Sequence, residues 1–157
     1  MANMAPTMKR PRLESVQAKP GNTLALRFID KRDFLLDMSK DIARYPGLAP
    51  LKDAHTFAGA VLGDAGWTVE WPAVDIQIGA DTLLLDALAQ SAEDEDTRIF
   101  MQWRAEAGLG LNAAAAALGV APRTISRYGS GKIKVPHTLA MACLGWKQWQ
   151  QHYATPA

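Results

Sequence analysis

The stretch Leu111–Lys132, LNAAAAALGVAPRTISRYGSGK, decides how the chain is read. Asn112 to Leu118 is alanine-rich and predicts a helix, and Gly119 can take the left-handed backbone conformation that stops it. Val120 is expected to pack in the turn, while Pro122 suits the first turn of a second helix, where its missing N–H costs no hydrogen bond. That second helix should run to about Tyr128 and end at Gly129-Ser130-Gly131. Two short helices joined by a glycine-containing turn of about three or four residues make a helix-turn-helix, whose second helix can enter the major groove of DNA.

Side-chain types sort onto faces accordingly. Ala115 falls where the two helices cross and a large side chain would push them apart. Ile125 and Tyr128, at i and i+3, face inward and leave Arg123 and Arg127 on an outer face one turn apart. The arginine fork matches guanine O6 and N7, so these two are candidate base readers, and Thr124 can add a contact to a base edge or a thymine methyl. Lys132 and Lys134 just past the helix, Asn112 on the first helix and Arg104 on the preceding one are assigned to phosphates, whose neutralisation gives sequence-independent affinity.

This stretch resembles the lambda-repressor-like (XRE-type) helix-turn-helix family, in which a leading helix precedes L-G-V-S-x-x-T-I-S-x-W-E-x-G-K. Leu118-Gly119-Val120, Thr124-Ile125-Ser126, the aromatic Tyr128 and Gly131-Lys132 match, and the resemblance spans roughly Thr97 to Gly145. Leu111 stands where the family usually has a phosphate-touching Gln, Ala121 replaces the usual Ser cap, Pro122 occupies a frequent base-contacting position, and Gly129 replaces an acidic residue. The resemblance implies double-stranded DNA as partner and a homodimer, since the family's operators tend to be two-fold related half-sites ~34 Å apart.

Charge separates along the chain in the same sense. The formal net charge is only +1, yet residues 1–97 hold ten Lys/Arg against fifteen Asp/Glu, and residues 98–157 hold seven against Glu106 alone. A basic segment joined to an acidic one is what a polyanion-binding module would show. At 157 residues, with 48% hydrophobic and 21% charged residues, the chain has the length and composition of one ordinary globular domain or two small ones. The longest stretch nearly free of charge, Ala105 to Pro122, is too weakly apolar for a membrane span. Met1 to Arg12 places Lys9, Arg10 and Arg12 after a polar start with no apolar core, unlike a secretory signal peptide, so a cytoplasmic protein is expected. A lone Cys143 in apolar surroundings and three scattered histidines argue against a disulfide or a zinc site; no cofactor is expected.

Ahead of the helices the period changes. Thr23 to Ile29 alternates Leu24, Leu26 and Phe28 with Ala25 and Arg27 and predicts a half-buried strand, with Asp30-Lys31-Arg32 turning into a second strand over Asp33 to Met38. Asp41 to Pro50 reads as a loop. Thr56–Leu62 and Trp67–Trp71 read as a second hairpin around Gly63-Asp64-Ala65-Gly66, ended by Pro72. Asp81 or Thr82 can cap a helix through Leu83, Leu84, Ala87 and Leu88, which runs out into the acidic boundary Ser91 to Asp96. Beyond it Ile99, Trp103 and Ala107 fall in helical register, and Val135-Pro136 starts a last helix through Leu139, Cys143 and Trp146, with Trp149 and Tyr153 continuing it. Core packing is the plain reading of that face, and a dimer contact at Trp149 the other. The fold class is therefore α+β: a small antiparallel-sheet domain, residues 13–92, followed by an all-α helix-turn-helix domain, residues 97–153.

The first domain resembles a small uncharacterised α+β family with the pattern K-P-G-Y-x-L, F-D, P-L-x-D-x-x-x-F, V-x-W-P-N-G. Lys19-Pro20-Gly21-Asn22-Thr23-Leu24, Leu36-Asp37, Pro50-Leu51-Lys52-Asp53 with Phe57, and Val69-Glu70-Trp71-Pro72 carry the match, with Ala73-Val74 in place of Asn-Gly. It implies a fold and no activity. Asp37, Asp75 and Asp81 lie near element ends without a nucleophile and base in recognisable spacing, so no catalysis is expected. The sequence thus reads as a transcriptional regulator; the alternative is an antitoxin-type protein that binds a partner protein through its first domain and represses its own operon.

Overall fold

The computed structural model describes Met8 and residues 10–154. Lys9 and residues 1–7 of the leading segment lie outside the described residues. These divide into two compact units, one ending at Ala87 and the other beginning at Leu88.

In the first unit β1 (Leu13–Lys19), β2 (Thr23–Phe28) and β3 (Asp33–Asp37) form an antiparallel sheet in that order. The expected alternation holds in β2 and β3: Leu24, Leu26, Phe28 and Leu36 are buried, whereas Arg27 and Leu35 face outward. Leu24 pairs with Leu36 and Leu26 with Phe34, so the apolar set of both strands lies on one face. In the turn between them Asp30 accepts from the Arg32 backbone N–H and from its Nε at 2.8 Å, which satisfies a carboxylate that is only 8% exposed.

β1 was not expected as a strand, because its pairing with β2 slips between Leu13 and Ser15. The slip moves the inward positions from Leu13 to Val16 and Ala18, which breaks the period of two that would have marked the strand.

Residues 41–44 and 46–50 are helical rather than a loop, with Tyr45 extended between them. α1 (Ser39–Arg44) is followed by a 3-10 helix over Pro46–Lys52, and Ile42 and Leu51 are buried. Asp37 starts the turn by accepting from the Ser39 backbone N–H at 2.9 Å, and the Ser39 hydroxyl and N–H hold its carboxyl below the usual carboxylate range. Pro46 sits in the first turn, where proline is tolerated.

The strand expected over Thr56–Leu62 is also corrected. Asp53 caps α2 (Ala54–Phe57), accepting from the Thr56 N–H and hydroxyl, and only β4 (Val61–Leu62) is extended. β4, β5 (Thr68–Trp71) and β6 (Ile76–Gly79) form a second antiparallel sheet. Trp71 is buried, donates from Nε1 to the Phe57 carbonyl at 2.9 Å and lies 5.8 Å from the Phe57 ring. Trp67 is partly exposed, with the Arg12 guanidinium 4.9 Å from its ring centroid. After Pro72 a 3-10 turn ends β5. α3 (Ala80–Ser91) begins one residue before the expected cap, and its Leu83, Leu84, Ala87 and Leu88 are buried as the spacing required.

In the second unit Asp94 caps α4 (Glu95–Ala107) by accepting from the Thr97 N–H at 2.9 Å. Phe100, Met101 and Trp103 are the buried residues of α4; Ile99 and Ala107, expected on its inner face with Trp103, are only half-buried. α5 (Leu111–Leu118), α6 (Pro122–Gly129) and α7 (His137–Trp149) follow; α5 packs on α6 and α7, and α4 on α7. Trp103 meets Trp146 edge-on at 5.6 Å. Cys143 is fully buried on α7, and burial pushes its thiol up to about 12. A π-helical turn over Gln150–Ala154 succeeds α7, and Trp149 and Tyr153 are exposed instead of continuing the core face.

Gly66 ties the turn after β4 to the first strand. It sits at φ +78°, and a Cβ there would lie 2.0 Å from the Leu13 carbonyl oxygen. Gly66→Ala is therefore expected to lower stability by about 2 kcal/mol or more, read as the shift in urea unfolding midpoint.

Candidate nucleic-acid interface

The helical pair α5–α6 is built as its residue types require. Gly119 adopts a left-handed conformation at φ +69°, its N–H donates to the Ala116 carbonyl, and Val120 donates to Ala115 at 3.0 Å. The N–H of Thr124 donates to the Ala121 carbonyl at 2.9 Å, so α6 starts at Pro122 without a side-chain cap. Ala114, Ala115 and Ile125 are buried, and Tyr128 is half-buried.

That packing leaves an outer arc on α6. Arg123, Ser126 and Arg127 are exposed, and Thr124 is half-buried at the border of the arc. The Arg127 guanidinium lies 5.9 Å from the Tyr128 ring centroid. Past the helix the Ser130 hydroxyl donates to the Arg127 carbonyl and accepts from the Lys132 N–H, shaping a turn completed by Gly131 at φ +76°. Lys132 and Lys134 project from the following loop, whose Val135 N–H donates to the Thr97 hydroxyl at 3.2 Å. Asn112 is exposed on the first turn of α5.

The seven cations of residues 98–157 separate by their partners. Arg98 pairs with Glu95, Lys147 with Glu106 at 3.6 Å, and Arg104, half-buried, donates from Nη1 to the Leu109 carbonyl at 2.9 Å beyond the end of α4. Among the described residues no carboxylate lies within salt-bridge distance of Arg123, Arg127, Lys132 or Lys134. α6 and the loop after it thus gather five of the sites predicted from sequence, Arg123, Thr124, Arg127, Lys132 and Lys134, while Arg104 belongs to a different helix and donates to the Leu109 carbonyl. Ser126 was missed by the sequence reading; its position one turn after Arg123 is the signal that places it on the same arc. Among the described residues no group of three or more His, Cys, Asp or Glu side chains is placed to hold a metal ion, and no helix is long and apolar enough to cross a membrane.

Residues 13–87 match the model of a protein family of unknown function, DUF2442. A crystal structure from Nitrosomonas europaea, of a "Putative DNA Binding Protein", is similar over 94% of this chain and 94% of that one, with 28% sequence identity and a TM-score of 0.56. No curated protein matches the chain.

The interface stands on the close approach of α5 to α6. Ala115→Leu is expected to overpack that crossing and destabilise the second unit by about 1–3 kcal/mol, measured by chemical denaturation.

Proposed function

We propose that the chain is a sequence-specific DNA-binding protein, a transcriptional regulator without catalytic activity. In this reading α5 and α6 form a lambda-repressor-like helix-turn-helix, and Pro122 to Tyr128 enters the major groove of double-stranded DNA as part of a dimer. The observation that carries it is the set of four cations on α6 and its following loop with no carboxylate within salt-bridge distance among the described residues, Lys134 alone lying near enough to Asp94 to help lower its carboxyl. Exposed arginines spaced by one helical turn suit guanine edges, and exposed lysines just beyond the helix suit the phosphates flanking them. The likeness to the Nitrosomonas europaea protein supports the same class of partner for this chain.

Base reading belongs to Arg123 and Arg127, with Thr124 at the border; Lys132, Lys134 and Asn112 take phosphates, and Arg104 does so only if it leaves the Leu109 carbonyl. Selection of bound sequences from a random DNA pool at near-physiological salt tests the reading, with an enriched two-fold motif as the expected result. Absence of enrichment together with absence of salt-dependent binding to bulk DNA overturns it. Arg127→Ala should cost ~1–3 kcal/mol of discrimination at one base pair, and uniform weakening on all DNA would remove it from the base readers. Lys132→Ala should reduce the slope of log K against log salt by about one with little change in preference.

A further inference from the structure

The loop that joins α6 to α7 is fastened at each end by a different device. At its start the Ser130 hydroxyl accepts from the Lys132 N–H at 3.2 Å. Near its end Val135 is buried, and its N–H donates at 3.2 Å to the hydroxyl oxygen of Thr97, 38 residues earlier on the first turn of α4. The next residue of that turn's N-terminal side, Asp96, places Oδ1 2.9 Å from His137 Nδ1 at the start of α7. Thr97 is itself fixed, because its own N–H donates to the Asp94 carboxylate at 2.9 Å in the contact that caps α4. The Thr97 N–H holds that carboxyl below the usual carboxylate range, and the charge of Lys134 adds to the effect, which puts this lysine beside the turn. Between the two fastenings Ile133 and Lys134 are exposed.

We propose that Thr97 is a positioning residue for DNA: through the Val135 N–H it sets where Lys134 meets a phosphate, while Lys132 is set separately by Ser130. The inference rests on the DNA-binding reading and adds to it a residue that touches no DNA. The Cα of Lys134 is one peptide, ~3.8 Å, from that of Val135, so a displacement of Val135 passes directly to the lysine. Without the Thr97 oxygen the buried Val135 loses the acceptor of its N–H, and the loop must move to satisfy it. Lys132 is insulated from that movement by its own bond to Ser130 at the end of α6. The two lysines are therefore alike in type and exposure but are held by different helices.

Titration of a labelled random-sequence duplex with the full chain, at several salt concentrations, is the test. Thr97→Val keeps the shape of the side chain and removes the acceptor. It is expected to weaken binding about fivefold, the worth of one hydrogen bond, and to lower the slope of log K against log salt by about one. Thr97→Ser, which keeps the hydroxyl, is expected to restore both. Coupling identifies the lysine: in a Lys134→Ala background Thr97→Val should add less than about a twofold loss, whereas in a Lys132→Ala background it should keep its full effect. A role in stability alone would lower the unfolding midpoint and leave the salt slope and the coupling unmoved, and that result overturns the proposal. So does an unchanged salt slope for Lys134→Ala, which decides the matter should Thr97→Val fail to fold. A wild-type chain without salt-dependent binding overturns the DNA reading and this role with it, while wild-type binding that Thr97→Val leaves unaltered overturns the role of Thr97 alone.

Discussion

Two buried alanines, Ala114 and Ala115, let α5 lie close to α6, and the aim of every side chain on α6 follows from that contact. Ile125 turns inward beside them, Tyr128 half-follows, and the helix period then carries Arg123, Ser126 and Arg127 to the opposite side. Gly119 makes the approach possible, because its left-handed conformation reverses the chain within three residues. Of the carboxylates of the second unit, Glu95, Asp96 and Glu106 meet Arg98, His137 and Lys147, and Asp94 caps α4 within the field of Lys134, so none of these pairs with the arginines of α6. What distinguishes the α6 arc is therefore the lack of local neutralisation as much as the presence of arginine.

The first unit is organised by a different constraint: polar side chains that satisfy backbone groups at the ends of short elements. Asp30, Asp37 and Asp53 each accept from a backbone N–H two or three residues on. These contacts account for several of the carboxylates that make residues 1–97 acidic, and they make Asp37 the acceptor of an Asx-type turn at the start of α1. Burial beneath them is supplied by Leu24, Leu26, Phe28, Leu36 and Trp71.

Legibility in the sequence tracked how far each element obeyed a simple period. The β2–β3 hairpin and the α5–α6 pair have side chains that alternate or recur without interruption, and both lie where the residues place them. β1 was hidden by its bulge, and α1 and the 3-10 helix by Pro46, Gly47 and Pro50, which read as loop residues although Ile42 and Leu51 anchor those turns in the core. α2 was hidden because a single capping aspartate outweighed the β-branched Thr56 beside it. The candidate site was readable in its residues and not in their availability: Arg104 and Arg127 are equal in sequence, yet one guanidinium reaches a carbonyl of its own chain and the other lies in the open.

The residues alone determined the α+β class, the change from strand to helix period along the chain, the concentration of positive charge after Arg98 and the turn at Gly119. These follow from local backbone preference and from charge, which need no knowledge of distant neighbours. Tertiary structure decided which cations remain unpaired, which apolar residues of α7 stay outside the core, and where Trp67 and Trp71 part company. Those outcomes depend on contacts between residues far apart in the chain, and no local pattern encodes them.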